Sequence, residues 1–310
     1  MSRHRNRGKS QTVDYFQNLN QQIDNPEAPV RIVAADGLAK LNPRPSLPTY
    51  IRQLWQRRFF IGAEARSKAL RSTRDYRLWR TWLVVNPILD VAFYGFLFGV
   101  LFQTSRGIEN FLGYLIIGIM YMRMMSSLMG DGSGLITKSK SMIRTFAFPR
   151  ASLIFSQALR ALIDNILPAV VALILAFLAQ WGKFPHWSVL LVIPLFLLIH
   201  IFGCGLMLIT ARLTAEIPDV KAIMPLATRA WFFLSGVMFS LDRFSHVPVV
   251  QELMSHNPAY IFLTAIRDSS IYQTVPDLNT WLILLAWTFG SLLVGFIYFW
   301  GAEDKYVRLA

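Results

Sequence analysis

Acidic residues are scarce in this sequence and cysteine is almost absent. Asp and Glu number 18 against 31 Lys and Arg, which leaves a formal net charge of +13 at pH 7. One cysteine, Cys204, stands inside an apolar run, so no disulfide can form within one chain and packing is its expected role. A complete phosphate-binding loop is also missing. Gly8-Lys9-Ser10 has the end of that motif, but Arg3 stands where its first glycine belongs, so ATP hydrolysis is not expected here. His4, His186, His200, His246 and His256 are scattered, with no metal-ligand spacing and hence no expected metal. An intramembrane enzyme would want clustered Asp, Glu or His near an interface, whereas Asp242, Glu252, Asp268 and Asp277 are dispersed. No apolar run follows Arg3, Arg5, Arg7 and Lys9 for about 70 residues, so these residues do not begin a signal peptide.

What is abundant is hydrophobic side chain, at 54% of the residues. Soluble domains run nearer 45–50%, and here the excess is concentrated in six runs at about 82–102, 111–129, 152–179, 188–211, 222–241 and 280–300. A helix needs about 20 apolar residues to cross roughly 30 Å of hydrocarbon. The expected fold is therefore an all-α membrane protein with six transmembrane helices. Basic charge could point to nucleic acid, but these cations flank apolar runs, as in loops held on the inner side of a membrane. Segments 1–81, 130–151, 212–221 and 301–310 carry 24 of the 31 cations, and segments 103–110, 180–187 and 242–279 carry four. That asymmetry places both termini in the cytoplasm and makes nucleic acid an unexpected partner.

Residues 1–45 are polar, contain Pro26, Pro29, Pro43 and Pro45, and read as a flexible cytoplasmic tail. Over 46–72, Ile51, Leu54, Trp55, Phe59 and Ala63 recur at helical spacing among Arg52, Arg57, Arg58, Arg66, Lys68 and Arg71. Such an amphipathic interface helix suits anionic inner-leaflet lipid. The transmembrane domain is expected over 73–310. In its loop 130–151, Leu135, Ile136, Met142 and Ile143 alternate with Lys138, Lys140 and Arg144 before Pro149, the pattern of a short helix that docks on a partner.

Ionisable residues inside spans are costly and are usually paired or functional. Asp90, Arg123, Arg160 and Asp164 all fall in the inner halves of the first three runs and are expected to form a neutral network. Arg229 in the fifth run is the candidate for an anionic group. Asp90 and Asp164 also keep open an ion-coupled secondary transporter, and an intramembrane lipid- or glycan-modifying enzyme is the weaker rival.

Ser105-Arg106-Gly107-Ile108-Glu109-Asn110-Phe111 through Gly118, and then Leu135 to Ile143-Arg144 and Phe148-Pro149-Arg150-Ala151, resemble the permease subunits of type-2 polysaccharide ABC exporters. Those exporters carry O-antigens, teichoic acids or cell-wall galactan. Ser235-Gly236-Val237-Met238-Phe239, Asn257-Pro258 and Arg267 agree with the resemblance. Pro218-Asp219-Val220 departs from it, standing where the family often has Arg-Asp-Ile. The likeness covers about residues 48–310.

The resemblance implies a homodimer in the plasma membrane with two copies of a separate ABC ATPase, which binds ATP and Mg, so no cofactor belongs to this chain. It implies a coupling helix over 135–150, with Leu135, Lys138, Lys140, Ile143, Arg144 and Phe148 as contacts. It also implies a partly re-entrant external helical loop over 242–279, before the last span. The substrate would be a polyprenyl-pyrophosphate-linked cell-surface polysaccharide, moving between protomers along Tyr94, Phe98, Tyr121, Arg229, Trp231, Phe232 and Phe233, since aromatic faces hold sugars by stacking. Rings in spans more often pack or form belts.

Overall fold

A computed structural model describes residues 44–72, 85, 88, 89, 92–101, 108–146, 148–180, 184–241 and 246–309, without the side chains of 70–72 and 98–100. The tail through residue 43, Asp90, Ser105–Gly107 and the Phe98 side chain lie outside the described residues.

Among the described residues, four long apolar helices make the bundle. They are α3 (Phe111–Gly132), α6 (Ala151–Leu178), α7 (Val192–Glu216, entered through a 3-10 turn at Trp187–Leu191) and α11 (Leu278–Trp300). Each is long and apolar enough to cross a membrane. Side chains of the starting residues cap two of them, α3 and α11. Asn110 Oδ1 accepts the Gly113 amide at 3.0 Å and Asp277 Oδ1 accepts that of Thr280 at 3.1 Å, each taking one of the amides a helix start leaves unpaired. The packing places α3 at the centre: Leu115, Ile117, Tyr121, Met122, Met125 and Leu128 are fully buried. By contrast, α6 exposes Ile166, Val170, Ile174 and Leu178, and α11 exposes Leu282, Phe289, Leu293 and Ile297. Those faces meet lipid in a bilayer. Gly205 and Gly295 let α7 and α11 touch backbone to backbone, because a Cβ on Gly205 would strike Ser291 and one on Gly295 would strike Gly205.

Part of the first apolar run is π-helical, and the fifth ends early. Described helix in the first includes a π-helical stretch, Gly95–Leu101. In the fifth, α8 (Val220–Leu234) has 15 residues, roughly 22 Å of helix, and residues 235–241 leave it. The break has a local cause. Gly236 takes φ +60°, and a Cβ there would lie 2.8 Å from the Tyr260 ring. The chain then runs through α9 (Pro248–Ser255) and α10 (Pro258–Ser270), which begin with proline at their first turns. α10 packs among α3, α7 and α11 with Phe262, Leu263 and Ile266 fully buried.

At the other end of the bundle lie α1 (Leu47–Gln56), α2 (Arg58–Ser72), α4 (Leu135–Lys138), α5 (Lys140–Thr145) and α12 (Tyr306–Leu309). The segment expected as one interface helix is thus two helices, broken at Arg57. Its apolar residues divide by direction: Tyr50 and Leu54 are buried, while Ile51, Trp55 and Phe59 face outward. The Arg58 guanidinium lies 5.2 Å from the Trp55 ring centroid and 4.5 Å from that of Phe59. This mixture suits a headgroup layer.

Candidate functional site

The loop between α3 and α6 is strapped to the end of α7. The Gly134 amide donates to Thr214 Oγ1 at 2.9 Å, and the Thr210 hydroxyl donates to the Met129 carbonyl at 2.9 Å. Lys221 Nζ reaches Thr137 Oγ1 at 3.4 Å. On the short helices α4 and α5, Ile136 and Ile143 turn inward and are almost fully buried, while Lys138, Lys140 and Arg144 face out. Leu135 is half-buried. Ile143 and Phe148, also expected as contacts, lie differently from these cations. Both are turned into this chain's own core, Phe148 with its ring centroid 6.4 Å from that of Phe60, and neither presents a surface to a partner.

One carboxylate ties the ends of this region together. Glu303 Oε2 accepts from Tyr50 Oη at 2.7 Å, and Oε1 accepts from the Arg150 amide at 2.9 Å and Arg150 Nη1 at 3.2 Å. Tyr50 Oη in turn accepts the Ala151 amide at 3.1 Å. The group is buried: Tyr50 is 0% exposed and Glu303 is 1% exposed. Burial pushes the Glu303 carboxyl up, against the Arg150 and Tyr50 donors that pull it down. Burial, and then the neighbouring Glu303 charge, hold the Tyr50 hydroxyl well above its ordinary range, so it stays a donor. Next to this group, Tyr306 is 0% exposed, stacks on Phe299 at 4.6 Å and donates to the Phe299 carbonyl at 2.8 Å. Arg212 pairs with Glu216 at 3.2 Å, and Lys305 reaches the same carboxylate at 3.5 Å. Sequence pattern gave no sign of Glu303, Tyr50 and Arg150, because no local spacing joins residues so far apart.

The expected pathway residues do not share one surface. Tyr94 lies 6.5 Å from Phe232, and Phe232 lies 5.7 Å from Phe233, so these three gather beside α8. Arg229 is exposed on the same helix. Trp231 turns away: its Nε1 donates to Asn257 Oδ1 at 3.0 Å and its ring lies 6.4 Å from Phe202. It borders a lateral apolar cavity of about 720 Å³ with Phe202, Leu206 and Trp287. Tyr121, expected on the path, is 0% exposed within the α3 packing. No residue of α8 is buried, and Ile223, Leu226 and Phe233 are 58%, 66% and 47% exposed.

Of the expected charge network, Arg160 and Asp164 meet at 3.3 Å on α6. Arg123 is exposed on α3. A polar tie from α6 to α3 is Gln157 Nε2 donating to Asp131 at 2.9 Å.

At the opposite end Arg267, counted from sequence as a loop cation, is 2% exposed. Its Nη1 and Nη2 donate to the Gly236 and Val237 carbonyls, both at 3.1 Å, and its Nε donates to the Tyr114 carbonyl at 3.3 Å. The guanidinium also lies 3.4 Å from the Tyr114 ring centroid. Three backbone carbonyls, two at the break after α8 and one in the first turn of α3, thus take the place of a carboxylate.

Residues 63–271, two thirds of the chain, match the family model described as ABC-2 type transporter. No curated protein matches the chain.

Proposed function

The chain belongs to the ABC-2 type transporter family, and from that premise we propose that it exports a polyprenyl-pyrophosphate-linked cell-surface polysaccharide across the plasma membrane. Family membership makes it the membrane subunit of an ABC transporter, with an ABC ATPase as partner. The rest is our reading. Two copies pair through α8, with the first apolar run beside it, and each binds one ATPase at α4 and α5. Both termini and the 130–151 loop face the cytoplasm, and α9 and α10 lie outside.

One observation carries this reading: on α4 and α5 the apolar side is spent on the chain's own core, while Lys138, Lys140 and Arg144 are left outward. A loop that only connected two spans would not need Thr214 to hold it to the end of α7. Held this way, a push on α4 passes directly to α7. On the substrate side, the Tyr94, Phe232 and Phe233 rings beside Arg229 combine faces that hold sugars with a cation that suits pyrophosphate.

The test uses proteoliposomes holding the chain and its ATPase, loaded with a polyprenyl-pyrophosphate-linked oligosaccharide. Transfer to the far leaflet is read by access of an added glycosidase. ATP-dependent transfer is expected. Transfer driven by a proton gradient without ATP would favour the ion-coupled alternative and overturn the proposal.

A further inference from the structure

We infer that the C-terminal segment 301–309 is part of the surface that receives the ATPase, and that α4, α5 and this segment form one basic docking face. The inference rests on α4 and α5 being the docking helices and extends that surface to an element which the sequence pattern did not connect with it.

The tail does not trail away from the last span. It folds back under the loop, and α12 packs against both α4 and α5 as well as α7. It is held at two points. Glu303 is held by Tyr50 and Arg150 through the three contacts given above, and Arg150 is the residue that closes the loop into α6. Three residues further on, Tyr306 plugs the core against Phe299.

The anchors settle what the tail presents. With Ala302, Glu303 and Tyr306 buried, Lys305 and Arg308 are the exposed side chains beside α4 and α5. Together with Lys138, Lys140, Arg144 and Lys221 they make a cationic surface on one end of the bundle. The exposed or half-buried acids on the same segments are fewer: Asp131, which accepts from Gln157, Glu216, Asp219 and Asp304. Glu216 is engaged by Arg212 and Lys305, and Asp219 and Asp304 remain. A surface of this sign fits an acidic groove on the ATPase, and charge of this kind sets orientation and speeds encounter. Because the tail is bolted to Tyr50 and Arg150, a force applied at Lys305 or Arg308 reaches α1 and the start of α6 as well as the loop.

The experiment co-expresses the chain with its ATPase and measures the ATPase retained on the affinity-purified chain in detergent. The Lys305→Glu/Arg308→Glu pair is compared with Lys138→Glu/Arg144→Glu, and each variant's fold is checked by its gel-filtration profile. Both pairs are expected to lower retention about tenfold, and the loss should shrink at low salt when a compensating acid-to-Lys change is made on the ATPase. Full retention by the tail pair alongside loss in the loop pair overturns the inference and leaves the docking helices standing. Full retention by both removes the docking reading itself. A photo-crosslinking side chain at position 308 gives a second readout. An adduct with the ATPase is expected there, as at position 138, and an adduct at 138 alone again overturns the inference.

Discussion

Glu303 accepts the Tyr50 hydroxyl at 2.7 Å although 253 residues separate them. The contact closes the described chain on itself: the first helix is fastened to the segment after the last span, and Arg150 joins both to the start of α6. Truncating Glu303→Ala leaves a buried guanidinium, a buried phenol and a backbone amide without their acceptor. Removing one partner of such a group costs about 3 kcal/mol. Glu303→Gln keeps an acceptor and loses the charge, so it is expected to cost less than Glu303→Ala. Tyr50→Phe, which loses one hydrogen bond to a charged group, is expected to cost about 2 kcal/mol. Thermal unfolding in detergent, followed by loss of monodisperse protein, ranks the three; an equal melting temperature for wild type and Glu303→Ala would refute the account.

The same carboxyl makes stability depend on pH in a stated direction. Burial raises the folded-state value of Glu303, so the folded protein holds this proton more tightly than the unfolded chain. Its contribution is therefore fully present below the unfolded value of about 4.3 and is lost as pH rises through the raised folded value. Glu303→Gln cannot titrate. Over mildly acidic pH, wild-type stability should fall relative to Glu303→Gln as pH increases. Parallel curves for the two proteins would show that the group does not titrate differently on folding.

Arg267 carries a third prediction. Its three carbonyl partners lie on two separate pieces of chain, the break at Gly236–Val237 and the Tyr114 turn of α3. Lysine keeps the charge but lacks the planar fork. Arg267→Lys is expected to destabilise by about 2 kcal/mol, and Arg267→Met by about 3 kcal/mol, by freeing buried carbonyls. Limited proteolysis should then cut within 242–257 faster than in wild type while the rest of the chain resists. Unchanged cutting there would mean that the cap does not depend on Arg267.

Legibility in the sequence followed the range of the interactions. The apolar runs around α3, α6, α7 and α11 are local and long, and each became a helix within a few residues of its expected bounds. The outward placement of Lys138, Lys140 and Arg144 was legible too, because they sit opposite Ile136 and Ile143 at helical spacing. Phe148 was not, since the same apolar signal serves a partner's groove or the chain's own core, and only the position of Phe60 decides between them. The early end of α8 was hidden for a related reason: Val237 and Met238 are apolar enough for a span, but they turn into the core after Gly236 reverses the chain. Glu303 and Arg267 looked like ordinary loop charges until the structure gave them partners far along the sequence.

The last prediction concerns the uncovered helix. α8 exposes Ile223, Leu226 and Phe233 in one protomer, and lipid could cover them, but so could a second copy. The two cases separate cleanly because Cys204 is the single cysteine and is buried, so Cys204→Ser gives a cysteine-free background at small cost. In that background Ile223→Cys, Leu226→Cys and Phe233→Cys are oxidised in native membranes, with Leu293→Cys on the outward face of α11 as the control. A covalent dimer is expected from at least one α8 position and not from the control, because a disulfide forms only when two Cα atoms come within about 7 Å. No dimer from any of the three, or as much from Leu293→Cys, would leave α8 facing lipid. The Tyr94, Phe232 and Phe233 cluster could not then lie between two protomers, and the proposed pathway would have to be sought within one.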